Sequence, residues 1–174
     1  GAFALSGDAA ATTGTLRIAL PANTMSVATR ESGAFTMENV TLPQSGLNVT
    51  FVKMSGINGQ IATAEGKPIA NASLTLAQNG QAVQTAQTDA NGAFALSGLE
   101  AGDYSLQIAM PADSGATLPA EAGLTAQADG TYTIDRLSLA YGEEHSLSLT
   151  ATLLCAVRGT VTESGAGAAG LTVT

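Results

Sequence analysis

Apolar and polar residues alternate along most of the chain. Leu74 and Leu76 alternate with Ser73, Thr75 and Ala77, and Phe94 and Leu96 with Ala93, Ala95 and Ser97. Tyr104, Leu106, Ile108 and Met110 alternate with Ser105, Gln107 and Ala109, and Leu147, Leu149, Ala151 and Leu153 with Ser146, Ser148, Thr150 and Thr152. A period of two over short runs predicts half-buried β-strands. Turn signals separate the runs: Gln78-Asn79-Gly80-Gln81, Asp89-Ala90-Asn91-Gly92, Gly98 to Gly102, and Asp129-Gly130. Asn-Gly and Asp-Gly supply the positive φ angles of tight hairpins. The spacing predicts an all-β fold of antiparallel sandwiches, about seven strands to each. The stretch from Glu143 to Arg158 holds no Gly or Pro and admits a helix as well. Its counterpart Leu47 to Val52 alternates as a strand does, so strand is the reading taken.

That counterpart belongs to an internal repeat, which decides the organisation of the chain. Gly1 to Gly7 recurs letter for letter at Gly92 to Gly98. Leu16-Arg17-Ile18-Ala19-Leu20-Pro21-Ala22 matches Leu106-Gln107-Ile108-Ala109-Met110-Pro111-Ala112. Gly33 to Met37 pairs with Gly130 to Ile134, and Gly59-Gln60-Ile61 with Gly159-Thr160-Val161. Ordered matches with slightly drifting offsets predict tandem domains that differ in loop length. Residues 59–158 form one complete unit, residues 1–58 the later part of a preceding one, and residues 159–174 the first strands of a following one. Such a frame predicts a segment of a longer repetitive polypeptide, whose incomplete ends could exchange strands between copies.

Composition narrows the role. Lys and Arg number 6 against 14 Asp and Glu, a net charge of −8. Nucleic acid and anionic lipid both need clustered cations, so neither is an expected partner. Charged residues make up 11% of the chain while hydrophobic ones reach 45%, enough to build a core. No run of apolar residues is long enough to insert in a membrane.

Candidate chemistry is thin. With one His and one Cys the chain holds no disulfide of its own and no His/Cys metal cluster. Cys155, among Leu153, Leu154, Ala156 and Val157, reads as a small buried hydrophobe. His145 follows Glu143 and Glu144 beside a turn and reads as a solvated loop histidine, with no nucleophile motif to make a triad. Leu42-Pro43-Gln44-Ser45-Gly46 has the outline of a sortase signal but precedes a strand, and reads as a turn. Asn39-Val40-Thr41, Asn48-Val49-Thr50 and Asn71-Ala72-Ser73 are glycosylation sequons in form only. Asp129 and Asp135 lie near a turn without a sugar-binding cleft.

The run Gly59-Gln60-Ile61, then Glu65-Gly66-Lys67-Pro68-Ile69-Ala70-Asn71-Ala72-Ser73-Leu74-Thr75-Leu76, followed by Thr88 to Leu99 and Ala101 to Tyr104, resembles B-type repeat domains of Gram-positive surface adhesins. It is similar too to carboxypeptidase regulatory-like and collagen-adhesin (Cna) B-type domains. Asp129 to Ile134, Leu137 to Leu139 and Gly142-Glu143 resemble the closing strands of the serine-aspartate-repeat type. The resemblance implies an immunoglobulin-like or prealbumin-like sandwich. Within it Gly92 takes a left-handed turn position, Phe94 and Tyr104 anchor the core from opposite strands, and Leu99 closes a turn.

Two family devices are not matched. Cna B-type domains often carry an isopeptide from a first-strand Lys. Here Gln60, Ile61 and Ala62 occupy that region, and the lysines are Lys53 and Lys67. The serine-aspartate type often binds calcium through an acidic loop. Its counterpart Ala62 to Gly66 has one carboxylate, and Asp89, Asn91 and Asp103 read as turn residues. The expectation is a chain with no catalytic, cofactor or metal site: a non-catalytic stalk or spacer of a bacterial cell-surface or secreted adhesin-like protein. Its partners would be neighbouring repeats, with host or glycan ligands held by other domains. The alternative is an accessory, glycan-binding module of an extracellular enzyme, which an exposed cluster of Phe35, Tyr132 and Tyr141 would favour.

Overall fold

The computed structural model describes residues 13–41, 46–119 and 123–154, together with the backbone of Thr162–Glu163 and Ala166–Gly167. Every regular element among them is a strand. The leading segment holds β1 (Thr13–Ala19), β2 (Thr24–Ser26), β3 (Ala34–Thr41) and β4 (Phe51–Lys53). A sandwich follows: β5 (Ser55–Thr63), β6 (Ser73–Gln78), β7 (Gln81–Gln87), β8 (Ala93–Leu99), β9 (Gly102–Ala109), β10 (Ala116–Thr117), β11 (Leu124–Ala126), β12 (Tyr132–Leu139) and β13 (Glu144–Leu153). A short antiparallel pair, β14 (Thr162–Glu163) and β15 (Ala166–Gly167), comes last.

One sheet of the sandwich has the order β10-β13-β5-β8 and the other β11-β12-β9-β6-β7. Nine strands exceed the expected seven because β10 and β11 are short edge pieces in stretches that carry no long alternation. All pairs are antiparallel except β5 with β13, which run parallel through eight residue pairs, Glu144↔Gly56 to Ala151↔Thr63. β5 starts at Ser55, ahead of the Gly59 that opens the matching repeat. The ambiguous stretch after Glu143 is strand β13 as far as Leu153.

The core lies between the sheets. Leu74, Leu76, Leu106 and Ile108 from one sheet face Ile57, Ile61, Phe94 and Leu96 from the other, all buried. Burying each such side chain contributes about 1.5–3 kcal/mol, which is why the alternating runs set the strand faces. Tight turns hold the register. Asn79 (φ 53) and Gly80 (φ 78) form the two-residue link between β6 and β7. At the β7–β8 turn Asp89 Oδ1 accepts from the N–H of Asn91 (2.8 Å) and Ala93 (2.9 Å). Gly92 there sits at φ 72, and a Cβ on it would overlap the Ile61 carbonyl. Phe94 and Tyr104 are both buried, on opposite sheets, and Leu99 is buried at the end of β8. The Tyr104 hydroxyl donates to the Glu100 carbonyl at 2.9 Å, tying β9 to the turn before it.

The leading segment repeats the sandwich in part, strand for strand. β1 pairs with β3 as β9 pairs with β12: Leu16↔Met37 and Ile18↔Phe35 mirror Leu106↔Ile134 and Ile108↔Tyr132. Both ladders slip after these pairs, at Gly14/Leu16 and at Ile134/Leu137. Each bulge carries a residue at positive φ, Asn39 (φ 56) and Arg136 (φ 61). β2 pairs with β4 as β10 pairs with β13. The copy of the repeat at residues 1–7, the sortase-like run Leu42 to Ser45, Cys155 and most of the closing unit lie outside the described residues.

Candidate functional site

Most of the described residues singled out for chemistry are engaged in strands and turns. His145 is in strand β13, paired with Ile57 and half-buried, rather than in a loop: the strand begins at Glu144, directly after the Tyr141-Gly142 turn. Glu143 Oε2 accepts from the Ala140 N–H at 2.8 Å, and Glu144 faces Lys53 at 3.8 Å. Asp129 Oδ1 accepts from the Thr131 N–H (3.0 Å) and hydroxyl (2.7 Å), which holds its carboxyl below the usual aspartate range. Gln107 Nε2 donates to Thr131 Oγ1 at 3.0 Å, tying this turn to β9. Gln107 and Asp129, with Gln127, Ala128, Thr133 and Asp135, line a shallow, open, polar depression on the outer face of the five-stranded sheet. Its residues come from β9, β12 and the turn between β11 and β12, and Gln107 and Asp129 are spent on hydrogen bonds to Thr131.

The family-specific positions are equally plain. Gln60, Ile61 and Ala62 pair across the parallel ladder with Ser148, Leu149 and Thr150. Lys67 lies in the turn after β5, where its N–H approaches Thr63 Oγ1 at 3.2 Å. In the same turn the Thr63 hydroxyl lowers the Glu65 carboxyl below its usual range. Among the described residues no three His, Cys, Asp or Glu side chains converge. Phe35 is buried, Tyr132 half-buried against the core, and Tyr141 exposed on the β12–β13 turn, so these rings form no shared exposed surface. Among the described residues no helix is long and apolar enough to cross a membrane.

The most constructed feature is the seam between the leading segment and the sandwich. Only Met54 separates β4 from β5. Its N–H donates to the Asn23 carbonyl (2.8 Å), and the Asn23 amide donates to the Met54 carbonyl (3.3 Å). Met54 is 5% exposed, with Ser32 Oγ 3.8 Å from its sulfur. Ser55, fully buried, donates its hydroxyl to the Ala140 carbonyl at 2.5 Å, and the Gly56 N–H donates to the Glu143 carbonyl at 2.9 Å. Two ion pairs cross the seam, Arg30 with Glu100 and Lys53 with Glu144. Both are solvent-exposed and contribute at most about 1 kcal/mol each. Main-chain bonds and the buried Met54 and Ser55 carry most of the attachment.

The main-chain bond of this arrangement recurs at the far end of the sandwich. The Leu154 N–H donates to the Gly115 carbonyl at 2.7 Å, and Gly115 (φ 60) shares the left-handed backbone of Asn23 (φ 55). Leu154, however, is 65% exposed where Met54 is covered. Sequence reading missed the seam because Met54 and Ser55 fall outside the matched repeat blocks. The available signal was the absence of any Gly or Pro between Leu47 and Ser55, which leaves no turn between the units.

Comparison with known proteins finds one family model over part of the chain and distant structural likenesses. Residues 56–122 match the carboxypeptidase regulatory-like domain family, which covers β5 to β10. No curated protein matches in sequence. Among solved structures, the Bacillus anthracis TIE protein aligns at 16% identity and TM-score 0.43, over 80% of this chain and 25% of that one. The minor pilin of Streptococcus agalactiae aligns at 12% identity and TM-score 0.36, over 75% of this chain and 68% of that one. A 9R-lipoxygenase from Cyanothece aligns at 17% identity and TM-score 0.32, over 55% and 16%. The chain thus spans about a quarter of the TIE protein's length and less of the lipoxygenase. Likeness at this level says nothing about what the chain does.

Proposed function

We propose that this segment is a non-catalytic stalk or spacer of a bacterial cell-surface or secreted adhesin-like protein, its units stacked end to end outside the cell. The observation that carries the reading is the seam. A one-residue link at Met54, bonded through its main chain to the preceding unit and buried, fixes the sandwich on the unit before it, as a spacer requires. Flexible attachment of independent modules uses exposed linkers rich in Gly, Pro or polar residues. Engagement of His145, Glu143, Asp129 and Asp89 in strands and turns supports a structural role, as does the separation of Phe35, Tyr132 and Tyr141. The direct partners are neighbouring repeats of the same polypeptide; ligand binding belongs to other domains. Extracellular placement rests on the resemblance to surface-adhesin repeats.

The test is a distance distribution across the seam, measured by paired spin labels at Thr29→Cys and Gln81→Cys in a Cys155→Ser background, both sites being exposed. A narrow distribution is expected, broadened when a Gly-Ser-Gly-Ser insert follows Met54. An uninserted chain as broad as the inserted one would overturn the stalk reading.

A further inference from the structure

We propose that the sandwich bears tension, with the parallel β5–β13 ladder acting as a shear clamp. The inference deepens the stalk reading and rests on it. The chain enters the sandwich at Ser55, the first residue of β5, and leaves it at Leu153, the last of β13. These two strands are neighbours and parallel, in unbroken register from Glu144↔Gly56 to Ala151↔Thr63. Tension arriving through Met54 draws β5 toward its own start, while tension arriving through Leu154 draws β13 toward its own end. In parallel neighbours those pulls oppose each other along one axis. The load therefore falls on the whole ladder at once. In an antiparallel hairpin such as β6–β7, tension at the two free ends instead opens the bonds one after another. Each backbone hydrogen bond is modest alone; loaded together, they must fail together.

The surroundings hold the ladder in that geometry. β5 is central in its sheet, flanked by β13 and β8, with Ile57 and Ile61 fully buried beneath it. At mid-ladder the backbones approach closely: a Cβ on Gly59 would overlap the Leu147 carbonyl and the Phe94 ring. At the entry, the Ser55 hydroxyl bond to Ala140 resists peeling of β5 from the turn that leads into β13.

The experiment is single-molecule force spectroscopy on the whole chain between two handle domains. Release of residues 55–153 gives a contour gain of roughly 300–325 Å, the fully extended length less the folded distance of about 30 Å along the ladder. The same protein is then pulled between its N-terminal handle and a cysteine at exposed Tyr141→Cys, in a Cys155→Ser background. That second geometry loads the Glu144↔Gly56 end first and unzips the ladder. Because forced unfolding follows the unfolding barrier, the end-to-end pull should need roughly twice the force or more. Equal forces in the two directions would overturn the clamp. Gly59→Ala, which pushes β5 off β13, should speed end-to-end unfolding at constant load about tenfold. Leu76→Ala, in the other sheet, should change it less at equal or greater loss of equilibrium stability. The reverse order also overturns the proposal. If Gly59→Ala does not fold, the two pulling directions still decide. A weak clamp with a narrow seam distribution would sink the mechanical inference and leave the spacer standing.

Discussion

Leu16 and Leu106 occupy the same place in the repeated motif and the same ladder register, yet Leu106 is fully buried and Leu16 half-exposed. Ile18 and Ile108 differ in the same way. Closely similar local sequence makes matching strands and even matching bulges; burial comes from what faces them. β9 has the β5-β8 sheet opposite it, whereas among the described residues β1 pairs only with β3. The leading segment buries its side chains chiefly near the seam: Thr24, Met25, Ser26, Ala34, Phe35 and Met54. A second difference lies in the chain itself. Where the sandwich has buried Tyr104, the leading segment has Gly14, facing Val40 as Tyr104 faces Leu137. It therefore lacks the ring that fills the core and the hydroxyl that pins the preceding turn.

That difference can be transplanted, with the largest effect. Tyr104→Gly gives the sandwich the residue of the leading segment, and should cost about 4–5 kcal/mol from the lost ring, with Gly in a strand adding to it. Urea melts would then place the sandwich near the limit of its stability. Leu106→Ala comes next at about 3 kcal/mol, while Leu16→Ala should change the sandwich's melt by less than about 0.5 kcal/mol. If Leu16→Ala costs as much as Leu106→Ala, the two units share one cooperative core and the contrast fails. Tyr104→Phe separates the hydroxyl from the ring and should cost about 1 kcal/mol. Burial, and secondarily the nearby Tyr141, raises the Tyr104 pKa. The folded state thus holds its proton more tightly than the unfolded one, and this contribution is present below the unfolded tyrosine pKa and lost as pH rises through the folded value. Tyr104→Phe should remove that alkaline loss from the stability profile.

Smaller effects sharpen the comparison at the bulges. Asn39 tolerates positive φ through its short polar side chain, and Arg136 does not. Arg136→Asn makes the sandwich bulge resemble the leading one and should stabilise it by about 0.5–1 kcal/mol in thermal melts. Smallest is the acid response. The turn before β12 carries Asp129 where the turn before β3 carries Ser32. A depressed carboxyl favours the folded turn above the unfolded aspartate pKa, and that preference is lost as pH falls through the folded value. The Thr131 amide shift should titrate with Asp129, while the Gly33–Ala34 turn stays unmoved; matching titrations in both turns would contradict the assignment.

Which parts of this were legible follows from the range of the forces involved. Alternation at Leu74/Leu76 and Leu106/Ile108 gave strand faces because burial at period two is local information. Asn79-Gly80 and Asp89 to Gly92 gave turns because their backbone preferences belong to single residues. The β5–β13 pairing was not legible, since no turn joins the two strands and parallel partners carry no local signature. Arg136 was not legible either, because nothing in an arginine announces a left-handed backbone and only the surrounding ladder imposes it. His145 was misplaced by one turn's width: Glu-Glu-His after Tyr-Gly reads as polar loop until β13 is seen to begin at Glu144. Of the site, the engagement of Asp89 in its turn was readable, whereas Met54 and Ser55 were passed over because their importance lies in contacts with Asn23 and Ala140, far along the chain.

The one-residue join at Met54 has a consequence for the form of any array that repeats it. Were that linkage copied from unit to unit, it would apply the same rotation and the same translation at every step, and repeated application of one such operation generates a regular screw. An array joined throughout by this linkage would have a fixed pitch, and its end-to-end reach would grow in equal increments with each added copy. In such an array the number of copies alone would set the length, as the count of identical links sets the length of a chain.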